Sequence, residues 1–188
     1  MKIVLASRSP RRKELLGEII PDFEILTSDA DETLPEGIHP REGVEVLAVR
    51  KGAAVLSLLN TDSLVISSDT LVEIDGEQLG KPSDEADAVR ILVRLSGKTH
   101  RVHTGVAVHY RGKVYSGVDT ALVTFRKFDE SEALEYVKTG EPMDKAGAYA
   151  IQGIGGKFVK SYSGEFDAIV GLGLKLTKKL IEKATLDE

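Results

Sequence analysis

The sequence predicts a mixed α/β fold, on three observations. Apolar runs of strand length at residues 3–5 and 64–68 each lead into polar turn residues. Residues 40–58, 83–95 and 129–140 carry apolar side chains at helical spacing or helix-start signals. Asp75-Gly76 and Arg111-Gly112 lie between strand-like runs and mark antiparallel hairpins. Helices covering the faces of one mixed sheet satisfy all three.

Each element has its own reason. Residues 3–5 read as a short buried strand, and Pro10 opens a helix that Ser9 caps. The intervening stretch, Ala6-Ser7-Arg8-Ser9-Pro10-Arg11-Arg12, sets exposed N–H groups and a positive dipole end beside hydroxyls and guanidinium groups. It reads either as a capped helix with a solvated basic turn or as a polyphosphate site. Cations at a helix N-terminus oppose the dipole unless an anion sits among them, which favours the second reading. Residues 23–27 form a second strand, followed by an acidic loop at 28–33. A helix starts near Pro40 with Val44, Leu47, Ala48, Val55 and Leu58 on one face. Lys51 lies on or beside that face, either snorkelling or aimed into a cleft.

Residues 64–68 suit a central strand, with Asp69-Thr70 following at its carboxyl end, where open α/β sheets bind ligands. The Asp75-Gly76 hairpin joins residues 71–74 and 77–79. Ser83 is expected to cap a helix running through Leu95, with Asp84 and Glu85 in its first turn. Long strands are expected at 100–110 and 113–126. Asp129 with Glu132 makes a capping-box-like start for a helix ending at Gly140. Residues 139–147 are too polar and broken for a regular element. A glycine-rich turn at 152–156 precedes a short strand at 157–160, and a last helix runs from about residue 171 to Ala184.

Composition narrows the function. The 188 residues are 41% hydrophobic and 29% charged, ordinary for a globular protein with a real core. A formal charge of −5 argues against general binding to nucleic acid or anionic membranes, so basic side chains that bind phosphate must be concentrated locally. The absence of cysteine excludes disulfides, thiolate zinc sites and thiol nucleophiles. No apolar run approaches membrane-spanning length, and the chain enters a strand directly, so a cytoplasmic protein is expected.

The polar residues of the turns suggest one chemistry. Arg8, Arg11, Arg12, Lys81, Lys145 and, on the cleft reading, Lys51 suit the oxygens of a triphosphate. Glu32 and Asp69 suit a hard divalent ion such as magnesium, and a carboxylate beside it can orient or deprotonate a water. Together they suit attack of water on a phosphorus of a nucleotide. Each signal alone has a plainer reading: Asp69 as a turn residue, Glu32 as part of a solvated acidic loop. The segment around Gly153, Gly155 and Gly156 has neither Walker nor dinucleotide spacing, and the histidines form no metal-ligand pattern.

The motifs in order resemble the Maf family of nucleoside triphosphate pyrophosphatases from end to end. They are Leu5-Ala6-Ser7-Arg8-Ser9-Pro10-Arg11-Arg12, Asp31-Glu32, Lys51-Gly52-Ala53, Ser68-Asp69-Thr70 and Gly80-Lys81-Pro82. Val102-His103-Thr104-Gly105, Gly140-Glu141-Pro142-Met143-Asp144-Lys145-Ala146-Gly147 and Ile151-Gln152-Gly153 follow. The resemblance implies cleavage of a nucleoside triphosphate between its α- and β-phosphates, with a divalent cation, magnesium or manganese. It implies Asp69 as proton acceptor, Glu32 and Asp69 at the metal, and Lys81 beside them. It further implies Ser7, Arg11, Arg12, Lys51, Thr70, Lys145 and Gln152 at the substrate, with Arg12, Thr70 and Gln152 choosing the base as in the subgroup acting on dTTP and UTP. A glutamine amide can donate to and accept from the edge of uracil or thymine. The implied fold is a single domain over residues 1–188. It is an elongated, curved mixed sheet flanked by helices, in two lobes with a central cleft, similar to the inosine-triphosphate pyrophosphatases, as a homodimer. The family's late motif usually reads Asn-Val-Val-Gly-Leu-Pro where this chain has Ala168-Ile169-Val170-Gly171-Leu172-Gly173, a change expected to loosen the start of the last helix. Two rival functions are a purine-selective triphosphate pyrophosphatase and a non-catalytic nucleotide-sensing regulator of cell division.

Overall fold

A computed structural model describes residues 1–59 and 62–186; residues 60, 61, 187 and 188 of the expected 1–188 domain lie outside the described residues. The chain order is β1 (Lys2–Leu5), α1 (Pro10–Gly17), β2 (Glu24–Ile25), α2 (Pro40–Leu56), β3 (Ser63–Ile74), β4 (Glu77–Leu79), α3 (Glu85–Leu95), β5 (Thr99–Tyr110), β6 (Lys113–Phe125), α4 (Glu130–Val137), β7 (Val159–Ser163), α5 (Phe166–Val170) and α6 (Leu174–Leu186). The strands form one seven-stranded sheet in the order β2-β1-β3-β5-β6-β7, with β4 paired to β3. β1 runs parallel to β2 and β3, whereas β3, β5, β6 and β7 are successively antiparallel. This is the mixed α/β sheet with flanking helices that the sequence predicts. Among the described residues, no helix is long and apolar enough to cross a membrane.

β3 is the spine. Its first residues pair with β1, Lys2↔Ser63 to Leu5↔Ile66, and its last with β4 across Asp75-Gly76, both at positive φ. The expected break after Ser68 does not occur. Asp69 and Thr70 sit inside the strand, opposite Gly105 and Thr104, because β5 continues the ladder past the point where β1 stops. Asp69 is thus a strand residue with backbone pairing, not a turn residue at a strand end.

α2 lies unusually close to the sheet. A Cβ on Gly105 would fall 2.5 Å from the Val44 carbonyl oxygen, and one on Gly52 would fall 2.6 Å from Ser67 Oγ. The approach is fixed by Ser67 Oγ donating to Ala48 O at 2.7 Å and His109 Nε2 donating to Val49 O at 3.1 Å. Leu58, expected on the apolar face of this helix, lies beyond its end and is exposed.

Several boundaries differ from expectation. The cap of α3 is Asp84, which accepts the Asp87 N–H at 2.7 Å, while Ser83 is the residue before it and donates its N–H to Asp87. Asp129 caps α4, but Glu132 pairs with Arg126 instead of reaching back to the cap, and the helix stops at Val137. Residues 157 and 158 close a 3-10 turn, Ile154–Phe158, so the final strand starts at Val159. The last helical region is two helices, because Gly171 at φ 135 breaks the path between α5 and α6. β2 is shorter than the expected strand at 23–27 because β1 offers it only two partners, Val4 and Leu5. Apolar side chains such as Leu92, Phe125, Tyr136 and Phe158 bury the far half of the sheet under α3 and α4. Leu5, Leu16, Ile66, Val108 and Leu180 bury the near half.

Candidate active site

β1 ends at the mouth of a cleft of about 510 Å³, and the residues that follow it form one wall. Ser9 Oγ accepts the Arg12 N–H at 3.4 Å and Pro10 occupies the first helical position, so α1 begins as the sequence predicts, with no acidic residue in its first turn. That leaves the helix start and Arg11 and Arg12 facing the cleft. Ser7, Arg11, Arg12, Glu32, Lys51, Asp69, Thr70, Lys81, Lys145 and Gln152 all line it, so the structure brings together every side chain singled out from the sequence. Arg8 lines it too, with its Nε 3.2 Å from Thr27 Oγ1.

The carboxylates meet over one ammonium. Lys51 Nζ lies 2.5 Å from Asp69 Oδ1 and 3.0 Å from Glu32 Oε1. Of the two readings of Lys51, the structure shows the cation aimed into the cleft. It is bonded to both acids and only 21% exposed, while Asp69 is 11% and Glu32 64% exposed. Asp69 and Glu32 therefore differ in setting: one in the wall of the sheet, the other on a solvated loop.

Arg12 is held on three sides. Its Nε donates to Gly171 O at 2.8 Å, one terminal nitrogen to Thr70 Oγ1 at 3.3 Å and the other to Ser7 Oγ at 3.5 Å. Burial pushes its pKa below the usual guanidinium range, while the charge of Asp69 pulls the other way. Lys145 donates to the Glu141 carbonyl at 3.1 Å and pairs with Asp144. Burial alone would raise Asp144, but Lys145 and Arg11 outweigh it and hold that carboxyl below its usual range. Gly147 N–H donates to Gly80 O at 3.1 Å, tying the turn beside Lys81 to the segment that carries Lys145. Lys81 and Gln152 are exposed on the rim.

Sequence reasoning missed the second layer. Ser68 Oγ donates to Gly171 O at 2.8 Å, and Thr104, bonded to Thr70 at 3.0 Å, donates to Ala168 O at 2.7 Å. Glu141 accepts the N–H groups of Ile154 and Gly155, both at 2.9 Å, and so anchors the turn that follows Gln152. Ile169, Val170 and Tyr149 add apolar wall. The periodicity of β5 hides Thr104, whereas Gly171 as a helix breaker was a readable signal for the α5–α6 turn.

The Maf-like protein family model matches residues 2–184. The chain belongs to the Maf-like protein family. It is 45% identical over 195 residues to a dTTP/UTP pyrophosphatase of Dechloromonas aromatica, covering 97% of each chain. It is 46% identical over 184 residues to a dTTP/UTP pyrophosphatase of Pelotomaculum thermopropionicum, covering 97% of this chain and 96% of that one. The Staphylococcus aureus Ham1 protein has a similar fold, with a TM-score of 0.55 at 16% identity over 100% of this chain and 98% of that one.

In this Maf-like chain the donor set limits what a metal could use. Among the described residues, no group of three or more His, Asp or Glu side chains converges to hold an ion. Glu32 and Asp69 already share one cation, the Lys51 ammonium, so the pair is shaped for positive charge. Two carboxylates fit a hard divalent ion whose remaining ligands are phosphate oxygens and waters.

Proposed function

We propose that the cleft hydrolyses nucleoside triphosphates, with dTTP and UTP preferred, to the monophosphate and pyrophosphate. The observation that carries the reading is the Glu32–Lys51–Asp69 cluster facing Arg11, Arg12 and the start of α1 across one cleft. Near-full-length relatives with that activity in their names support it.

The helix start, Ser7, Arg11, Lys81 and Lys145 bind the phosphate chain, supplying fixed positive charge where negative charge develops. Asp69 accepts a proton from water as its oxygen bonds to the α-phosphorus. The bond from that phosphorus to the bridging oxygen breaks, and pyrophosphate leaves. Lys51 fixes the orientation of the Asp69 carboxylate. Glu32 and Asp69 would hold magnesium or manganese, which when bound offsets charge on the phosphate oxygens. Arg12, Thr70 and Gln152 tune the base, with the glutamine amide matching the donor and acceptor edge of uracil or thymine. The working unit in this reading is a homodimer that binds nucleotide and no nucleic acid.

A panel of triphosphates, assayed for both pyrophosphate and orthophosphate with and without chelator, tests the reading. Pyrophosphate should appear first, fastest from UTP and dTTP, and only with magnesium or manganese present. Faster release from ITP or XTP would favour a purine-selective enzyme, and tight UTP binding without release of pyrophosphate a sensor.

A further inference from the structure

Asp167 stands in the first turn of α5 and does not line the cleft, yet it organises the turn on which Arg12 rests. Its carboxylate accepts the Ala168 N–H at 2.9 Å through Oδ1 and the Leu174 N–H at 2.6 Å through Oδ2. Its carbonyl accepts the N–H groups of Gly171 at 3.0 Å and Leu172 at 3.1 Å. One residue thus satisfies four backbone donors across the α5–α6 reversal, leaving two carbonyls turned to the sheet. Ala168 O takes the Thr104 hydroxyl, and Gly171 O takes both Ser68 and the Nε of Arg12. A Cβ on Gly171 would meet Arg12 Nε at 3.4 Å, so the contact is close on both sides.

A larger residue at position 173 would require the Asp119 side chain to move. A Cβ on Gly173 would fall 2.0 Å from Asp119 Oδ2. With glycine and no ring to restrict φ before α6, the Asp167 carboxylate ties the Leu174 N–H at the start of that helix to α5.

We infer that Asp167 is a positioning residue for Arg12: its carboxylate sets the turn whose Gly171 carbonyl aims the guanidinium at the nucleotide. This rests on the reading that Arg12 helps choose the base. A carboxylate that merely caps the turn would affect stability and leave base preference alone.

A double-mutant cycle separates the two. The ratio of kcat/KM for UTP to that for GTP is measured in wild type, Asp167→Asn, Arg12→Lys and the double variant, with melting curves for each. Asn keeps one acceptor and turns an N–H toward the other amide. Asp167→Asn should cut the ratio by at least about threefold, and by less than about twofold in the Arg12→Lys background, since residues in one network are not additive. An unchanged ratio in a folded Asp167→Asn protein, or equal losses in both backgrounds, overturns the inference. Asp167→Ser is the second variant if Asn does not fold. If the wild type releases pyrophosphate from no triphosphate, the functional reading fails on its own. Proton exchange at Arg12 Nε, followed by NMR, then decides the positioning: faster exchange in Asp167→Asn is expected, and an unchanged rate overturns it.

Discussion

Lys51 Nζ lies 2.5 Å from Asp69 Oδ1, which joins the middle of α2 to the middle of β3 at the floor of the cleft. The same ammonium reaches Glu32 at 3.0 Å, so two acids that would repel each other share one counter-charge. The pair is directional as well as electrostatic: α2 is locked to the sheet within the turn before Lys51 by the Ala48 and Val49 carbonyls.

Asp69→Asn keeps the shape of the strand and removes the carboxylate proposed to accept the proton. Turnover should fall by at least roughly tenfold, a threshold set below the roughly 10²–10⁴ typical of general-base effects, with the melting temperature little changed. Near-normal turnover in that variant would remove Asp69 from the chemistry.

Gly105→Ala tests the spacing that delivers Lys51. The new methyl would press on the backbone at Val44 and Glu45, which cannot rotate away. Overpacking of this kind costs about 1–3 kcal/mol, or about 2–12 °C in melting temperature for a chain of this size. Turnover should fall as well, because α2 moves with its lysine. An unchanged melting curve would show that the helix has slack.

His100 makes stability sensitive to acid. It is 2% exposed, and burial holds its imidazole down to about 4. Its Nε2 shares a hydrogen bond with Tyr149 Oη at 2.8 Å, and that tyrosine lines the cleft. The unfolded imidazole takes a proton below about 6.5, while the folded one stays neutral until about pH 4. The neutral state therefore contributes fully above pH 6.5, and the contribution is lost as pH falls toward 4. Between pH 7 and pH 4.5 wild type should lose roughly 2–3 kcal/mol more unfolding free energy than His100→Gln. Urea titrations at both pH values read the difference, and parallel losses would contradict it.

Much of this arrangement was legible locally. Ser9-Pro10 announces α1, and Asp75-Gly76 and Arg111-Gly112 announce hairpins, because caps and positive-φ turns depend on neighbouring residues alone. Asp69 looked like a turn residue because its strand pairing comes from β5, which is remote in sequence. The same holds for Lys51. Helical periodicity places it near the apolar face of α2, but its partners on β3 and the 28–33 loop depend on how close the helix sits to the sheet. Asp167 was invisible for a different reason, since its work is done on backbone N–H groups that every residue has.

Hydrolysis of UTP in ¹⁸O-labelled water, with the label located by mass spectrometry, reads directly which phosphorus the water attacks. If Asp69 and its neighbours direct water to the α-phosphorus, the label appears in the monophosphate and the pyrophosphate is unlabelled. Label in pyrophosphate, or in free orthophosphate as the first product, would contradict it.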